Sequence, residues 1–244
     1  MMNDTLKTID QRRSTRIYKD EEIKAEDKQA IFDAIINAPT AGNMTLYNVI
    51  NVTDQSLKDQ LAILCDHQPF IAKGKLVLLF VSNPVRWYDS YNLINNTNLK
   101  PTLADYYLSM NDGVIAAENA VIAGESLNIG SCYIGDIVEN IEKIKELFKL
   151  PKGVVPICLL VMGYKVDDKI NPRPTRFLEK DVITENYFEN NSLDCFKNKF
   201  SNLKEDKALE KAKNAVNRTF EFKMKSDFFK EMNRSMQIIL DEFK

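Results

Sequence analysis

The sequence predicts an α+β fold in which long helices pack on a small sheet. Helical periodicity of apolar residues recurs along most of the 244 residues, whereas only a few stretches have the length and composition of strands. Residues 75–81 and 154–163 are continuous apolar runs, the pattern of strands buried on both faces. The chain has no internal repeat. Few strands, many helices and no repeat together favour this fold class.

The N-terminal part is predicted to supply three helices and two strands. Its second helix is amphipathic, with Ile31 and Ile35 on one apolar face, and it ends at Pro39. Thr40–Asn43 then forms a loop. In chain order, the predicted elements are a helix at 5–12, a helix at 25–38, a strand at 47–52, a helix at 56–64 and a strand at 75–81.

The longest helical pattern covers residues 102–127, and its apolar residues lie on several sides. Such a helix must be central or must face a second subunit. Gly130 is expected to end it, and residues 131–136 form the connection that follows. The remaining predicted elements are a helix at 141–147, a strand at 154–163, an irregular loop at 167–176 and helices near 205–215 and 226–243.

Composition and charge exclude several functional classes. A hydrophobic fraction of 44% and a charged fraction of 28% are typical of a soluble globular protein. The net charge of −2 argues against nucleic-acid binding, which usually needs a broad basic excess. The longest apolar stretch, residues 154–163, is too short to span a bilayer as a helix. The N-terminus lacks the apolar core of a signal peptide, so we expect a cytoplasmic protein.

The cysteines and the single histidine predict no metal site. The four cysteines are spread too widely for a zinc ribbon or a CxxC redox pair, and reduced thiols are the simpler expectation. His67 has no second histidine with which to complete a metal site or a general-base pair. The sequence therefore disfavours histidine-dependent hydrolysis and metal chemistry.

The segment Arg12-Arg13-Ser14-Thr15-Arg16 is the first candidate site. Its guanidiniums offer forked donors and its hydroxyls add shorter hydrogen bonds, so it can grip a phosphate from several directions. An exposed basic face that binds only water is the alternative. The chain has neither a GxGxxG nor a GxxxxGK[ST] loop, so side chains must do more of the gripping if a nucleotide-like ligand is bound.

Four segments follow one another along the chain: Arg12–Arg16, Pro39–Thr45, Gly124–Gly130 with Tyr133-Ile134-Gly135, and Arg173–Arg176. In kind, order and spacing they resemble the FMN-dependent nitroreductase family, and most closely its branch of NADPH-linked oxygen-insensitive nitroreductases and flavin reductases. The resemblance covers residues 5–190, about three quarters of the chain.

The resemblance implies an intertwined homodimer with a small, mostly antiparallel sheet flanked by long helices, and two FMN molecules at the subunit interface. Residues 1–190 would form the FMN-binding core. Residues 191–244 would form a helical extension that packs on the core or on the partner subunit.

Carried over position by position, the resemblance assigns the cofactor contacts. Arg12, Arg13, Ser14 and Arg16 would approach the flavin phosphate, the ribityl chain and the pyrimidine edge. Pro39, Thr40 and Asn43 would reach the flavin of the opposite subunit. Gln68 would contact the ring edge, the backbone of Tyr133, Ile134 and Gly135 would lie along the ring towards N5, and Arg173 and Arg176 would close on the phosphate.

The chain departs from the family pattern at three places. Ala41 stands in the first loop where many members have a hydroxyl. Arg173 and Arg176 are separated by two residues where one is usual, so Asn171 is an alternative partner for Arg176. Asp136 follows Gly135 where a second glycine is common, which adds a carboxylate near the flavin.

The implied activity is electron transfer from NADPH or NADH, through FMN, to nitroaromatics, quinones or flavins by a ping-pong mechanism. No side-chain acid or base is required, because the flavin carries the chemistry. Arg16 would favour the negative charge of the reduced ring. Two alternatives remain: a specialised flavin enzyme that dehalogenates or destroys flavin, and a non-catalytic sensor whose arginines bind a nucleotide or anion.

Overall fold

A computed structural model describes residues 2–166, 173–190 and 192–244. The chain divides into two compact units, one comprising Met1–Ile170 with Glu231–Lys244 and the other Asn171–Lys230. The predicted division at residue 190 stays a prediction. The first unit contains the sheet and most of the predicted site.

Four strands form one sheet in which every neighbouring pair is antiparallel. The spatial order is β1-β2-β4-β3, so β1 and β3 are the two edges. The small antiparallel sheet implied by the family resemblance is therefore confirmed. The strands are β1 (Tyr47–Asn51), β2 (Leu76–Ser82), β3 (Ile129–Ile134) and β4 (Pro156–Tyr164).

The sheet is the middle of three layers. All residues of β2 and β4 are buried, as their continuous apolar runs predict. Successive side chains point to opposite faces, so Leu76 and Leu78 enter one core cluster while Val77 and Leu79 enter another. Helices cover both faces, because neither apolar face can be left in water.

The helices of the first unit flank these two faces. Those packed on the face of Leu76 and Leu78 are α2 (Ala25–Ile36) and α6 (Leu103–Ser126). Those on the opposite face include α3 (Gln55–Leu64), α7 (Ile141–Leu147) and the end of α11 (Asp227–Asp241). The shorter or more peripheral helices are α1 (Asp4–Gln11), α4 (Pro69–Ala72) and α5 (Val85–Asn95).

Helix α6 is central, as its broad apolar surface predicts. It spans 24 residues and begins at a capping box formed by Thr102 and Asp105. Small residues allow the closest approach to the sheet: a Cβ on Gly113 would come within 2.3 Å of Ile157. Other residues of the helix, among them Tyr107 and Val114, remain exposed in the single chain.

Two sequence predictions in this region are wrong. Gly130 does not end α6, which stops at Ser126; it lies inside β3, in a stretch predicted as a connection. The small residues Gly130, Ser131 and Cys132 lack strand-like apolar alternation, and only pairing with β4 makes them a strand. The sequence also failed to predict α5, whose Leu93 and Ile94 are 86% and 79% exposed and give no buried face.

The C-terminal segment returns to the first unit through α11. Ser235 donates its hydroxyl to the backbone oxygen of Glu139 at 2.6 Å. Arg234 forms a two-point ion pair with Glu142 of α7, at 2.6 and 2.8 Å. Beyond the helix, Glu242 accepts from Lys145 at 2.5 Å. These contacts fix residues 231–244 against α7 and the turn before it.

The second unit is helical and contains α8 (Glu179–Val182), α9 (Ser192–Asn198), α10 (Glu205–Thr219) and the beginning of α11. Phe177 and Phe196 meet edge to face at 5.1 Å between ring centroids. Asn198 donates to Asp181 at 2.7 Å. Across the described ranges of both units, no helix combines the length and apolarity needed to cross a membrane.

Candidate functional site

The arginine-bearing segment lies against the edge of the sheet. Helix α1 ends at Arg12, whose N–H donates to Thr8 O at 3.1 Å. The chain then becomes extended, and Ser14 forms a parallel bridge with Ser131 of β3. The N–H of Thr15 donates to Ser131 O at 2.8 Å. Backbone pairing with β3 therefore holds Ser14 and its neighbours in place.

Two paired glycines make this approach possible. Gly130 of β3 and Gly163 of β4 are partners in the sheet. A Cβ on Gly130 would lie 2.4 Å from the Thr15 hydroxyl oxygen, and one on Gly163 would lie 2.7 Å from Tyr18. Any side chain at these positions would push the segment off the sheet.

Tyr18 fixes the far end of the same segment. Its hydroxyl donates towards Thr15 O at 2.7 Å and Val161 O at 3.1 Å. Burial raises the pKa of Tyr18, the Cys132 thiol adds to the rise, and Arg16 opposes it. The tyrosine therefore stays neutral and ties the segment to β4 as a structural contact.

The three arginines have different surroundings. Arg16 lies over the ring of Phe70 at 5.8 Å, a cation–π distance. Burial raises the pKa of Cys132, while Arg16, a hydrogen bond from Ser14 and Arg12 act to lower it. Arg13 instead donates Nη1 to Asp10 O at 2.6 Å and Arg12 O at 2.8 Å, near the end of α1. The structure therefore brings Arg12, Ser14 and Arg16 around β3.

Gln68 and Asp136 meet beside this cationic group. Gln68 precedes Pro69 at the start of α4, and its Nε2 donates to Cys65 O at 2.9 Å and also to Asp136 Oδ2. Asp136 lies in the 3₁₀ turn Gly135–Val138 that follows β3. Phe70, under Arg16, lies in the same short helix that begins after Gln68.

The predicted backbone stretch Tyr133-Ile134-Gly135 forms the end of β3 and the start of the following turn. The Tyr133 hydroxyl bonds Glu118 of α6 at 3.1 Å, and Ile134 is buried. A Cβ on Gly135 would meet nothing within 4 Å. Gly135 therefore borders open space at the end of β3.

The loop that contains Pro39, Thr40 and Asn43 leads into β1, the sheet edge opposite β3. Sequence reasoning missed the residue that organises it. Asp112 of α6 is 2% exposed and accepts from the backbone N–H groups of Ala41 at 2.9 Å and Leu46 at 3.2 Å. A carboxylate at a position where the helical period predicts burial was the available signal.

Arg173 and Arg176 are exposed, belong to the second unit and lie in a stretch without regular structure. Their contact with the phosphate stays a prediction. Asn171, the alternative partner of Arg176, lies outside the described residues.

The turn after β3 also carries negative charge. Burial raises the pKa of Glu139, and the carboxylates of Asp66 and Asp136 raise it further. The positive charges of Arg12 and Arg16 therefore lie near the carboxylates that follow β3.

Among the residues that the structure describes, no three cysteine, histidine or acidic side chains are placed to hold a metal ion. His67 is exposed and has a left-handed backbone, with φ of 52°.

Comparisons with known proteins identify a family for this chain. A family model described as the nitroreductase family matches residues 9–164. A protein named FMN reductase (NADPH) from Bacillus subtilis is 28% identical over 201 residues, covering 79% of this chain and 78% of that protein. A second B. subtilis protein, FMN reductase (NAD(P)H), is 30% identical over 195 residues, covering 75% and 78%.

A solved structure supplies the same result for the fold. NfrA2 of B. megaterium has a TM-score of 0.82 and 24% identity, with 98% of both chains covered. The stretch matched by the family model includes the arginine-bearing segment, the loop before β1, Gln68 and the whole of β3. Because the family model matches well over half of its length, the chain belongs to the nitroreductase family.

Proposed function

We propose that this chain is an FMN-dependent oxidoreductase that transfers electrons from NAD(P)H to nitroaromatics, quinones or flavins. Membership of the nitroreductase family supports the class of reaction. The names of the two B. subtilis relatives support FMN and NAD(P)H as the compounds involved. One structural observation supports the assignment to a site: Ser14 pairs with Ser131 of β3, and the charges of Arg12 and Arg16 act on Cys132 of the same strand.

The donors at this position fit FMN. Guanidiniums at Arg12 and Arg16 and the hydroxyl of Ser14 suit a phosphate and the polar edge of the ring. Gly135 supplies free space where any other residue would place a Cβ. The amide of Gln68, which donates to Cys65 O, adds a neutral polar group. The family resemblance also assigns Arg173 and Arg176 to the phosphate, and that contact stays a prediction.

The chain's own groups bind, orient and tune the cofactor. FMN, when bound, supplies the hydride and electron chemistry. The fixed charge of Arg16 would favour negative charge on the ring of a bound flavin, because a preorganised cation needs no reorganisation during the reaction. No protein acid or base is assigned. We infer that one face of a bound flavin would serve electron donor and acceptor in turn, which would give ping-pong kinetics.

We infer that the working unit is a homodimer. The loop with Thr40 and Asn43 lies at the sheet edge opposite β3, so a partner copy must bring it to a flavin bound at β3. Exposed apolar residues on α5 and α6, including Trp87, Tyr107 and Val114, offer a surface for that partner.

We also propose a cytoplasmic location, which suits the free thiols at all four cysteines.

An anaerobic titration tests the proposed function. Purified protein supplied with FMN should be yellow, should lose its visible absorbance on addition of NADPH or NADH, and should regain it with a nitroaromatic or quinone. Stopped-flow comparison of the two nucleotides identifies the preferred one. A protein that rejects FMN contradicts the proposal. A yellow protein that neither nucleotide reduces supports the non-catalytic sensor.

The role of Arg16 gives a sharper prediction. Arg16→Ala should weaken FMN binding and lower the midpoint potential, because the reduced ring loses a nearby cation. Arg16→Lys keeps the charge without the planar fork, so its potential should fall less. Fluorescence titration and anaerobic potentiometry measure the two effects. Equal potentials in the Ala variant and the wild type would remove Arg16 from this role.

A further inference from the structure

The side chain of Gln68 is held by two acceptors. Its Nε2 donates one hydrogen to Cys65 O at 2.9 Å and the other to Asp136 Oδ2. The backbone of Gln68 is also constrained, since a residue before proline favours the extended region it adopts. Cys65 is fully buried, so one of the two anchors lies in the core.

The chemistry of these partners fixes the orientation of the amide. A backbone carbonyl and a carboxylate accept hydrogen bonds and cannot donate them. Turning the amide over would place Oε1 against two oxygens, so Nε2 must face both. Among the described residues, no group donates a hydrogen bond to Gln68 Oε1. This oxygen is also not buried, so a ligand can reach it. Gln68 therefore presents an open acceptor.

This acceptor oxygen lies near the side chains of Arg12 and Arg16. The ring of Phe70, two residues further along, lies under Arg16. The charges of Asp136, Arg12 and Arg16 all act on the thiol of Cys132. The Gln68 amide and the arginine-bearing segment therefore border the same end of β3, from different elements.

We propose that Asp136 is a positioning residue of the flavin site, which locks the Gln68 amide so that only its carbonyl oxygen is offered to the ring. The inference rests on the proposed function, and it deepens it at one position. The oxidised isoalloxazine carries a single N–H group, at N3. A locked acceptor therefore selects N3–H, and the site should discriminate against a flavin methylated there.

The test compares FMN with 3-methyl-FMN on the full-length protein. Both flavins carry the same phosphate, so the charge of Asp136 affects their binding equally. The ratio of the two dissociation constants is therefore independent of that charge. Wild-type protein should bind 3-methyl-FMN about tenfold more weakly, the size expected when a buried acceptor loses its donor. The discrimination should fall in the order wild type, Asp136→Asn, Asp136→Ala, Gln68→Ala. Asp194→Asn, an exposed carboxylate in α9, is the matched control.

The outcomes separate the inference from the proposed function. A protein that does not bind FMN at all contradicts the proposed function. Wild-type protein that binds both flavins equally overturns the inference and leaves the function standing. If Gln68→Ala discriminates between the two flavins as strongly as wild type does, the discrimination comes from steric exclusion of the methyl group. That result also overturns the inference. Unchanged discrimination in a folded Asp136→Ala variant removes Asp136 as the positioning residue.

Discussion

At the scale of single residues, the absence of a side chain decides where the arginines lie. Gly130 and Gly163 let the chain from Ser14 to Tyr18 rest directly on β3 and β4. Gly135 leaves space open at the end of β3. The glycines thus have distinct tasks: two permit contact within the chain, and one leaves room for a ligand.

Gly130→Ala and Gly135→Ala should therefore behave differently. The first places a methyl group 2.4 Å from the Thr15 oxygen and should cost about 1–3 kcal/mol of unfolding free energy as overpacking. The second meets no protein atom within 4 Å, so the apoprotein should keep its stability while FMN binding weakens. Urea unfolding of the apoprotein and flavin fluorescence measure these effects.

Combining Gly130→Ala with Thr15→Gly supplies the control for the first variant. The three nearest atoms to the added methyl group all belong to the Thr15 side chain, so removing that side chain should relieve the clash. No recovery in the double variant would show that another contact causes the loss. Unchanged FMN affinity in Gly135→Ala would move the flavin away from this turn.

Asp112 governs the loop before β1 from within α6. Asp112→Asn should destabilise the protein by about 1–3 kcal/mol, because an amide cannot accept from both Ala41 and Leu46 N–H groups as a carboxylate does. Denaturant unfolding measures the loss. Asp89→Asn, an exposed position on α5, serves as the comparison. A stability equal to that of wild type would show that the loop holds its shape without the carboxylate.

At the scale of elements, α11 joins the core through side chains that the sequence does not reveal as partners. Glu142 of α7 accepts both outer nitrogens of Arg234, although the two residues are far apart in the chain. Hydrogen bonding to Arg234 is the main cause that lowers the pKa of Glu142 from 4.5 to about 2. Both side chains are substantially exposed, so the stabilisation is modest and sensitive to salt.

The pH dependence of this pair follows from the lowered pKa. Its stabilisation is complete above about pH 4.5, the ordinary value for glutamate, and is lost as the pH falls towards about 2. Glu142→Gln should therefore be less stable than wild type at neutral pH, and the difference should shrink across this acidic window. Unfolding curves at a series of pH values measure it. A difference that stays constant with pH would assign the loss to packing.

At the scale of the whole molecule, the single chain leaves apolar surface in water. Tyr107 and Val114 are one heptad apart on the same side of α6, and they are 66% and 47% exposed. The Tyr88 hydroxyl, bonded to Asp105 at 2.8 Å, ties α5 to the start of that helix. The proposed partner subunit would cover this surface and deliver the loop before β1.

Val114→Asp should therefore produce a monomer with weakened FMN binding, since a charge at the interface opposes association and the site loses the partner's loop. Light scattering after gel filtration measures the mass, and flavin fluorescence measures the affinity. Ile63→Asp, at an exposed position of α3 on the other side of the sheet, should remain dimeric. A dimeric Val114→Asp variant with normal FMN affinity would place the interface elsewhere.

The sequence by itself determined the fold class, the two buried strands and the long central helix, and it supplied the segments of the candidate site. Periodicity and apolar runs are local properties, and they locate β2, α6 and α7 within a few residues. The order of the site segments along the chain was enough to indicate the family, which the match over residues 9–164 bears out.

Only the tertiary structure decided how those segments meet. The strand β3 exists through pairing with β4, and Gly130 serves the approach of Thr15 instead of ending a helix. The long-range partners of Gln68, Asp112 and Arg234 lie 66 or more positions away in the chain, and no local pattern encodes them. Local sequence sets most of the elements, whereas long-range pairing sets β3 and decides which side chains come together.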